Sequence, residues 1–80
     1  MAFNYSKLSG KIIEVFGTRY HFAEAMNWSE RTLSLKMSGT RSWKQSDICK
    51  AIKLLNLIED DIPTYFFTPK VQNFEQKEEQ

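Results

Sequence analysis

Few side chains in this sequence of 80 residues are of the kinds that make or break bonds. The single histidine, His21, has only Glu24 as an acidic neighbour at a helical spacing of three or four. The single cysteine, Cys49, lies among Ile48, Ala51 and Ile52, the setting of a core or flank thiol rather than of an activated nucleophile. Asp60 and Asp61 form a lone acidic pair, and acids that open a helix are accounted for by its dipole. No His, Cys, Asp or Glu falls at metal-ligand spacing. The chain is therefore expected to be no enzyme, to hold no metal and to need no cofactor. What remains is a set of recognition groups. Glu30, Arg31, Ser34, Leu35 and Ser38 are grouped in one short stretch, with Thr18 and Arg19 before it and Arg41 and Lys44 after it.

Helical geometry sorts that stretch. Leu33 and Met37, four apart, must face a core, and at 100° per residue Arg31, Ser34, Leu35 and Ser38 take the opposite face. Such a face suits a DNA major groove. Arg31 can donate a bidentate pair to guanine, Ser34 can bond several base edges, and Leu35 can meet a thymine methyl. Glu30, to one side, can accept from cytosine or simply satisfy the helix dipole. The N–H groups after Thr18 form an anion site with Arg19 beside it, and Arg41 and Lys44 follow as phosphate donors.

Five helical segments must position these groups. The first runs from about Ser6 to Phe16, with Leu8, Ile12, Val15 and Phe16 inward, Gly17 as its stop, and Gly10 as a place for close packing. Thr18 caps the second, Arg19 to Met26, whose inner face is Phe22, Ala23 and Met26. Ser29 caps the third, about Glu30 to Ser38, closed by Gly39. A fourth follows Ser42, where Ser-Trp-Lys-Gln has capping-box spacing, and Asn56 can end it. The fifth is short, about Asp60 to Phe66, with Pro63 in its first turn. Beyond it TYFFTPKV can run extended, though Pro69 restricts it to an edge. Between the second and third helices the abrupt turn Asn27-Trp28-Ser29 needs one residue at positive φ, and Asn27 is the most tolerant candidate. Trp28 can drop beneath the turn, and Ala23 is small where a steeply crossing helix would press. Those are the requirements of a helix-turn-helix.

Composition agrees with a small soluble domain: 41% hydrophobic, 26% charged, net charge +1. No apolar run approaches the roughly 18–20 residues of a membrane span, and MAFNYSKLSGK lacks a signal peptide's apolar region. One cysteine excludes an internal disulfide and fits a reducing cytoplasm. Charge is unevenly divided. Residues 1–58 carry nine Lys/Arg and four Asp/Glu, a balance of +5, and residues 59–80 carry two and six, a balance of −4. A basic body points to a polyanionic partner. The end, QNFEQKEEQ, reads as a solvated, disordered tail.

Phe22-Ala23, Met26, Asn27-Trp28-Ser29, Thr32-Leu33-Ser34 and the run WKQSDI from Trp43 to Ile48 carry a family likeness. Residues 5–67 resemble the Cro/repressor-type, lambda-repressor-like helix-turn-helix domain of temperate phages. MAFNYSKL, SERTLSLK and YFFTPKV look particularly like small Cro-like proteins of Gram-positive prophages. Three positions depart from that pattern: Arg19 replaces a glutamine, Asn27 a glycine, and Ile58 a polar cap for the fifth helix. The resemblance implies an all-α, five-helix domain over residues 1–67, with a C-terminal extension over 68–80 that is acidic at its end. It implies a sequence-specific regulator of transcription in the host cytoplasm, reading double-stranded operator DNA. Because one helix reads too few base pairs for specificity, a homodimer on a pseudo-palindromic site is expected. Tyr65, Phe66, Phe67 and Val71 are the expected dimer interface. The rival reading is a protein-interaction module of the same fold that binds and modulates another repressor, with Leu35 or the Tyr65-Phe66-Phe67 run making the contact.

Overall fold

The turns fall where glycine, asparagine and the capping residues stand. The computed structural model describes residues 3–69, and Val71 and the acidic end therefore lie outside the described residues. The order is α1 (Ser6–Phe16), α2 (Arg19–Ala25), α3 (Glu30–Met37), α4 (Gln45–Leu54), a 3-10 turn (Glu59–Asp61) and α5 (Ile62–Phe66). Over the described residues the fold is all-helical with five α-helices. After α5, Pro69 makes an antiparallel bridge with Phe3. Beside the bridge the Asn4 N–H donates to the Thr68 carbonyl at 2.7 Å.

Helix α1 ends at Gly17, whose φ of 83° suits only glycine comfortably and whose N–H donates to the Ile13 carbonyl. Leu8 and Ile12 are buried, and the Phe16 ring meets Phe22 edge-on at 5.4 Å. That contact turns the buried stripe toward α2. Val15, expected inward, is 37% exposed in consequence. A Cβ added at Gly10 would meet nothing within 4 Å, so the close packing expected there does not exist.

Thr18 caps α2, its hydroxyl accepting from the His21 N–H at 3.2 Å. Asn27 then takes φ 63°, and the Trp28 N–H reaches back to the Ala23 carbonyl at 2.8 Å. Ala23 is almost wholly buried, as the tight crossing of α2 and α3 demands. Ser29 caps α3 by accepting from the Thr32 N–H at 3.1 Å. Asn56, at φ 59°, turns the chain after α4. The core gathers Leu8, Ile12, Phe22, Met26, Leu33, Ile52, Leu55 and Phe66 from all five helices.

Two caps differ from expectation. The box over Ser42 to Gln45 does not form; Lys44 is the N-cap of α4, and its N–H donates to the Asp47 carboxylate at 2.9 Å. A carboxylate is the stronger acceptor and already faces this turn through its ion pair with Lys36. The segment expected to start at Asp60 begins instead with the 3-10 turn at Glu59–Asp61, and α5 follows from Ile62 with Pro63 in its first turn as expected. Apolar Ile58 precedes that turn, and Asp61 accepts its N–H at 3.1 Å.

The α2–α3 turn generates a test. Asn27→Gly should hold or raise the melting temperature, since glycine carries no Cβ penalty at positive φ. Asn27→Val should lower stability by about 1–2 kcal/mol. Thermal melts check both, and equal melting temperatures for the two variants would contradict this account of the turn.

Candidate functional site

The outward face of α3 is as open as its periodicity requires, but fewer of its side chains are free than the sequence suggests. Glu30, Arg31 and Ser34 are exposed, and Leu35 is half-buried. Ser38 ends the helix as its cap, and its hydroxyl is engaged with the Leu35 carbonyl at 3.1 Å and Thr40 at 2.9 Å. The flanking groups divide in the same way. Besides capping α2, the Thr18 hydroxyl meets His21 Nδ1 at 2.9 Å. Arg19 donates to the Ser9 hydroxyl at 3.0 Å, leaning on α1. Arg41 and Lys44 are exposed, and the Arg41 N–H ties the loop after α3 to the Leu35 carbonyl.

One residue of α3 matters more than any of these and was not singled out from the sequence. Lys36 is 5% exposed. Its ammonium donates to Asp47 Oδ2 at 2.6 Å and to the Ser42 carbonyl at 3.1 Å, and it stands 4.9 Å from the centre of the Trp28 ring. Burial by itself pushes the Asp47 carboxyl up. The Lys36 hydrogen bond, the Lys44 N–H and the charges of both lysines more than offset this, leaving it below the usual carboxylate range. The signal in the sequence was a lysine three residues after Leu33, on the core side of α3, with an aspartate in the first turn of the next helix.

The aromatic run separates residue by residue. Phe66 is 1% exposed and packs on Trp43 at 5.1 Å, so it belongs to the core and cannot form the expected interface. Tyr65 is half-buried against that core. Phe67 is 47% exposed and touches only the Phe3 edge among aromatic partners of the described residues, at 5.5 Å. It forms one wall of an open groove of about 470 Å³ between α4 and α5. Trp43, Ile48, Cys49, Ile52 and Ile62 complete its apolar lining, with Gln45 and Glu59 as polar members. Cys49 is thus a flank thiol, exposed on the groove. Ile58, 61% exposed, lies next along the surface in a hollow that shares Ile52 and Glu59. Among the described residues no group of three His, Cys, Asp or Glu could hold a metal ion, and no helix is long and apolar enough to cross a membrane.

Residues 1–69 match the family model described as "Protein of unknown function (DUF739)", and the chain belongs to that family. No curated protein matches it. Among solved structures it is similar to the modulator of repression (MOR) of the temperate bacteriophage TP901-1 from Lactococcus lactis. The two are 51% identical with a TM-score of 0.75, over 90% of this chain and 97% of that one. This likeness overturns two expectations, that the chain is itself an operator-reading repressor and that its partners are double-stranded DNA and a second copy of itself. The physical reason lies in the site. Ser38, Thr18 and Arg19, allotted to bases and phosphates, are engaged within the molecule, and Phe66 is removed from the supposed dimer interface into the core.

The ion pair supplies the test here. Its carboxyl titrates lower in the folded chain than when unfolded. Its stabilisation is therefore complete above the unfolded value of about 3.9 and is lost as pH falls through the lower folded value. Asp47→Asn should lower stability at neutral pH by about 3 kcal/mol, because it strands a buried ammonium. It should also flatten the loss of stability below about pH 4. Denaturant melts between acid and neutral pH measure both; an unchanged acid limb would remove the pair from that role.

Proposed function

We propose that this chain is a modulator of repression that acts by binding a phage repressor protein. The observation that carries this reading is its 51% identity, over nearly the whole of both chains, to a phage protein of that title. On this reading α2, α3 and their turn are a helix-turn-helix of the Cro/repressor type retained as a scaffold. Contact with the repressor falls to the groove between α4 and α5.

Two features support the groove. Its lining is apolar and aromatic, with Phe67 held out and Trp43 fixed behind it, the composition of a protein-binding hot spot. At one end stand Glu59 and, in the adjoining hollow, Asp60, both exposed. A repressor must carry a basic surface to hold DNA phosphates. An apolar floor with an acidic end is complementary to such a partner.

Calorimetric titration of the full chain with a temperate-phage repressor protein tests the proposal. A complex should form, and Phe67→Ala should weaken it at least about tenfold while leaving the melting temperature within a few degrees. Glu59→Lys should weaken it chiefly at low salt. Failure to form any complex with the repressor would sink the reading. A complex untouched by both variants would move the contact away from the groove.

A further inference from the structure

Trp43, Ile48 and Phe67 wall two spaces. Besides the groove between α4 and α5, they line a smaller and more enclosed cavity of about 180 Å³. Phe3, Tyr5 and Phe66 bring the aromatic rings around it to five, and Gly39 and Ser42 of the α3–α4 loop complete the lining. Protein interiors close-pack, and the gaps they leave are mostly no larger than a water molecule. Bonded walls keep this larger one from collapsing. Trp43 is fixed by its indole bond to the Lys36 carbonyl at 3.2 Å and by its contact with buried Phe66 at 5.1 Å. Phe3 stands against Phe67 at 5.5 Å, beside the Asn4 to Thr68 hydrogen bond. The Lys36 ammonium holds the Ser42 carbonyl at 3.1 Å, and a Cβ built on Gly39 would meet nothing within 4 Å. The cavity is preformed.

Size and lining decide what fits. An apolar cavity of about 150 Å³ accepts benzene, so this one takes a single substituted benzene ring. Rings at its walls favour an aromatic guest, which can meet them edge to face. Polar groups narrow the choice. The Trp43 indole is committed to Lys36, while the hydroxyls of half-buried Tyr5 and exposed Ser42 have no hydrogen-bond partner among the described residues. Burial raises the Tyr5 phenol above its ordinary pKa, with no hydrogen bond to offset it. Two free hydroxyls beside a ring-sized apolar space suit a phenol, whose own hydroxyl both donates and accepts.

We propose that this cavity is the seat of one tyrosine side chain of the repressor. The occupant rests on the repressor-binding reading; the fit of a phenol ring does not. Continuity places the occupant here. Because Trp43, Ile48 and Phe67 belong to both spaces, a segment held in the groove is one side chain away from the cavity. Tyrosine is also among the residues that most often anchor protein interfaces, as a rigid ring with a polar tip.

The test uses p-cresol, which is the tyrosine side chain without its backbone, and amide spectra of the full chain. At millimolar concentration or below it should bind saturably and shift the amides of Gly39, Ser42 and Ile48 and the indole N–H of Trp43. Toluene, without the hydroxyl, should bind about threefold to tenfold more weakly. A temperate-phage repressor protein should displace the cresol. Ser42→Phe, which fills the cavity with a ring of its own and leaves the groove lining unchanged, should weaken both cresol and repressor at least about tenfold. Absence of saturable shifts, or toluene bound as tightly as cresol, would overturn the proposal without any variant. A repressor complex that retains the cresol overturns the tyrosine seat alone. Cresol binding with no repressor complex at all overturns the repressor-binding reading, and the proposed occupant with it.

Discussion

A lysine that periodicity places on the inside of α3 must find an anion there, and the arrangement between α3 and α5 follows from how it does so. Lys36 has three donors in a desolvated place. Asp47 takes one at 2.6 Å, the Ser42 carbonyl takes another at 3.1 Å, and the Trp28 ring stands over the ammonium. The same residue acts through its backbone, since its carbonyl accepts from the Trp43 indole at 3.2 Å. Trp43 then meets Trp28 at 5.4 Å, Tyr5 at 6.2 Å and Phe66 at 5.1 Å. One buried charge therefore fixes the start of α4 and the α3–α4 loop. Through Trp43 it also sets the packing of the N-terminal segment and α5. Removing half of such a pair costs far more than the pair gains over an apolar substitute, because the remaining charge is left buried without its partner.

The helices themselves were legible because their signals are local. Gly17, Asn27 and Asn56 each take the left-handed backbone that ends a helix, and Thr18 and Ser29 cap as their types require. The inward positions Leu8, Ile12, Phe22, Leu33, Ile48 and Leu55 repeat at helical spacing and are buried. What failed depends on tertiary partners. Ser42 to Gln45 has the spacing of a cap, but Asp47, aimed by Lys36, supplies a stronger acceptor two residues later. Val15 and Ile12 are equally good inward residues locally, and only the Phe16–Phe22 contact decides between them. Lys36 was passed over because a lysine on a helix is ordinarily solvated, and its partner is eleven residues away.

The outward face of α3 was drawn correctly and its purpose was not. Periodicity says which residues face away from the core; it does not say what meets them. An arginine, a serine and a leucine in that position suit base edges and protein grooves alike, since both offer acceptors and apolar area. The Thr18 hydroxyl is committed to the cap that the sequence assigns it and Ser38 bonds within its own turn, whereas Arg19 meets Ser9, ten residues away, only once α1 and α2 have packed. Phe67 posed the opposite difficulty. In Tyr-Phe-Phe, burial of Phe66 and exposure of Phe67 follow from the short α5 ending between them.

The charges give a quantitative reason why a fold of this shape need not hold DNA. Affinity for a duplex rises with each phosphate neutralised, and firm binders make roughly six to ten such contacts. Of the basic side chains allotted to phosphate or base edges, Arg19 leans on Ser9, leaving Arg31, Arg41 and Lys44. Three contacts correspond to a salt slope of about −2.7, so a fourfold rise in salt costs about 40-fold in an affinity that is already low. The apolar groove does not depend on counterion release. Its floor of Ile48, Ile52 and Ile62 and its wall of Trp43 and Phe67 gain from desolvation at any ionic strength. Lys36 fixes the Trp43 wall from the far side, through the indole bond to its carbonyl. On the proposed reading the contact that does not depend on salt falls between α4 and α5, and α3 supports it from behind through the Lys36 carbonyl and the Trp43 indole.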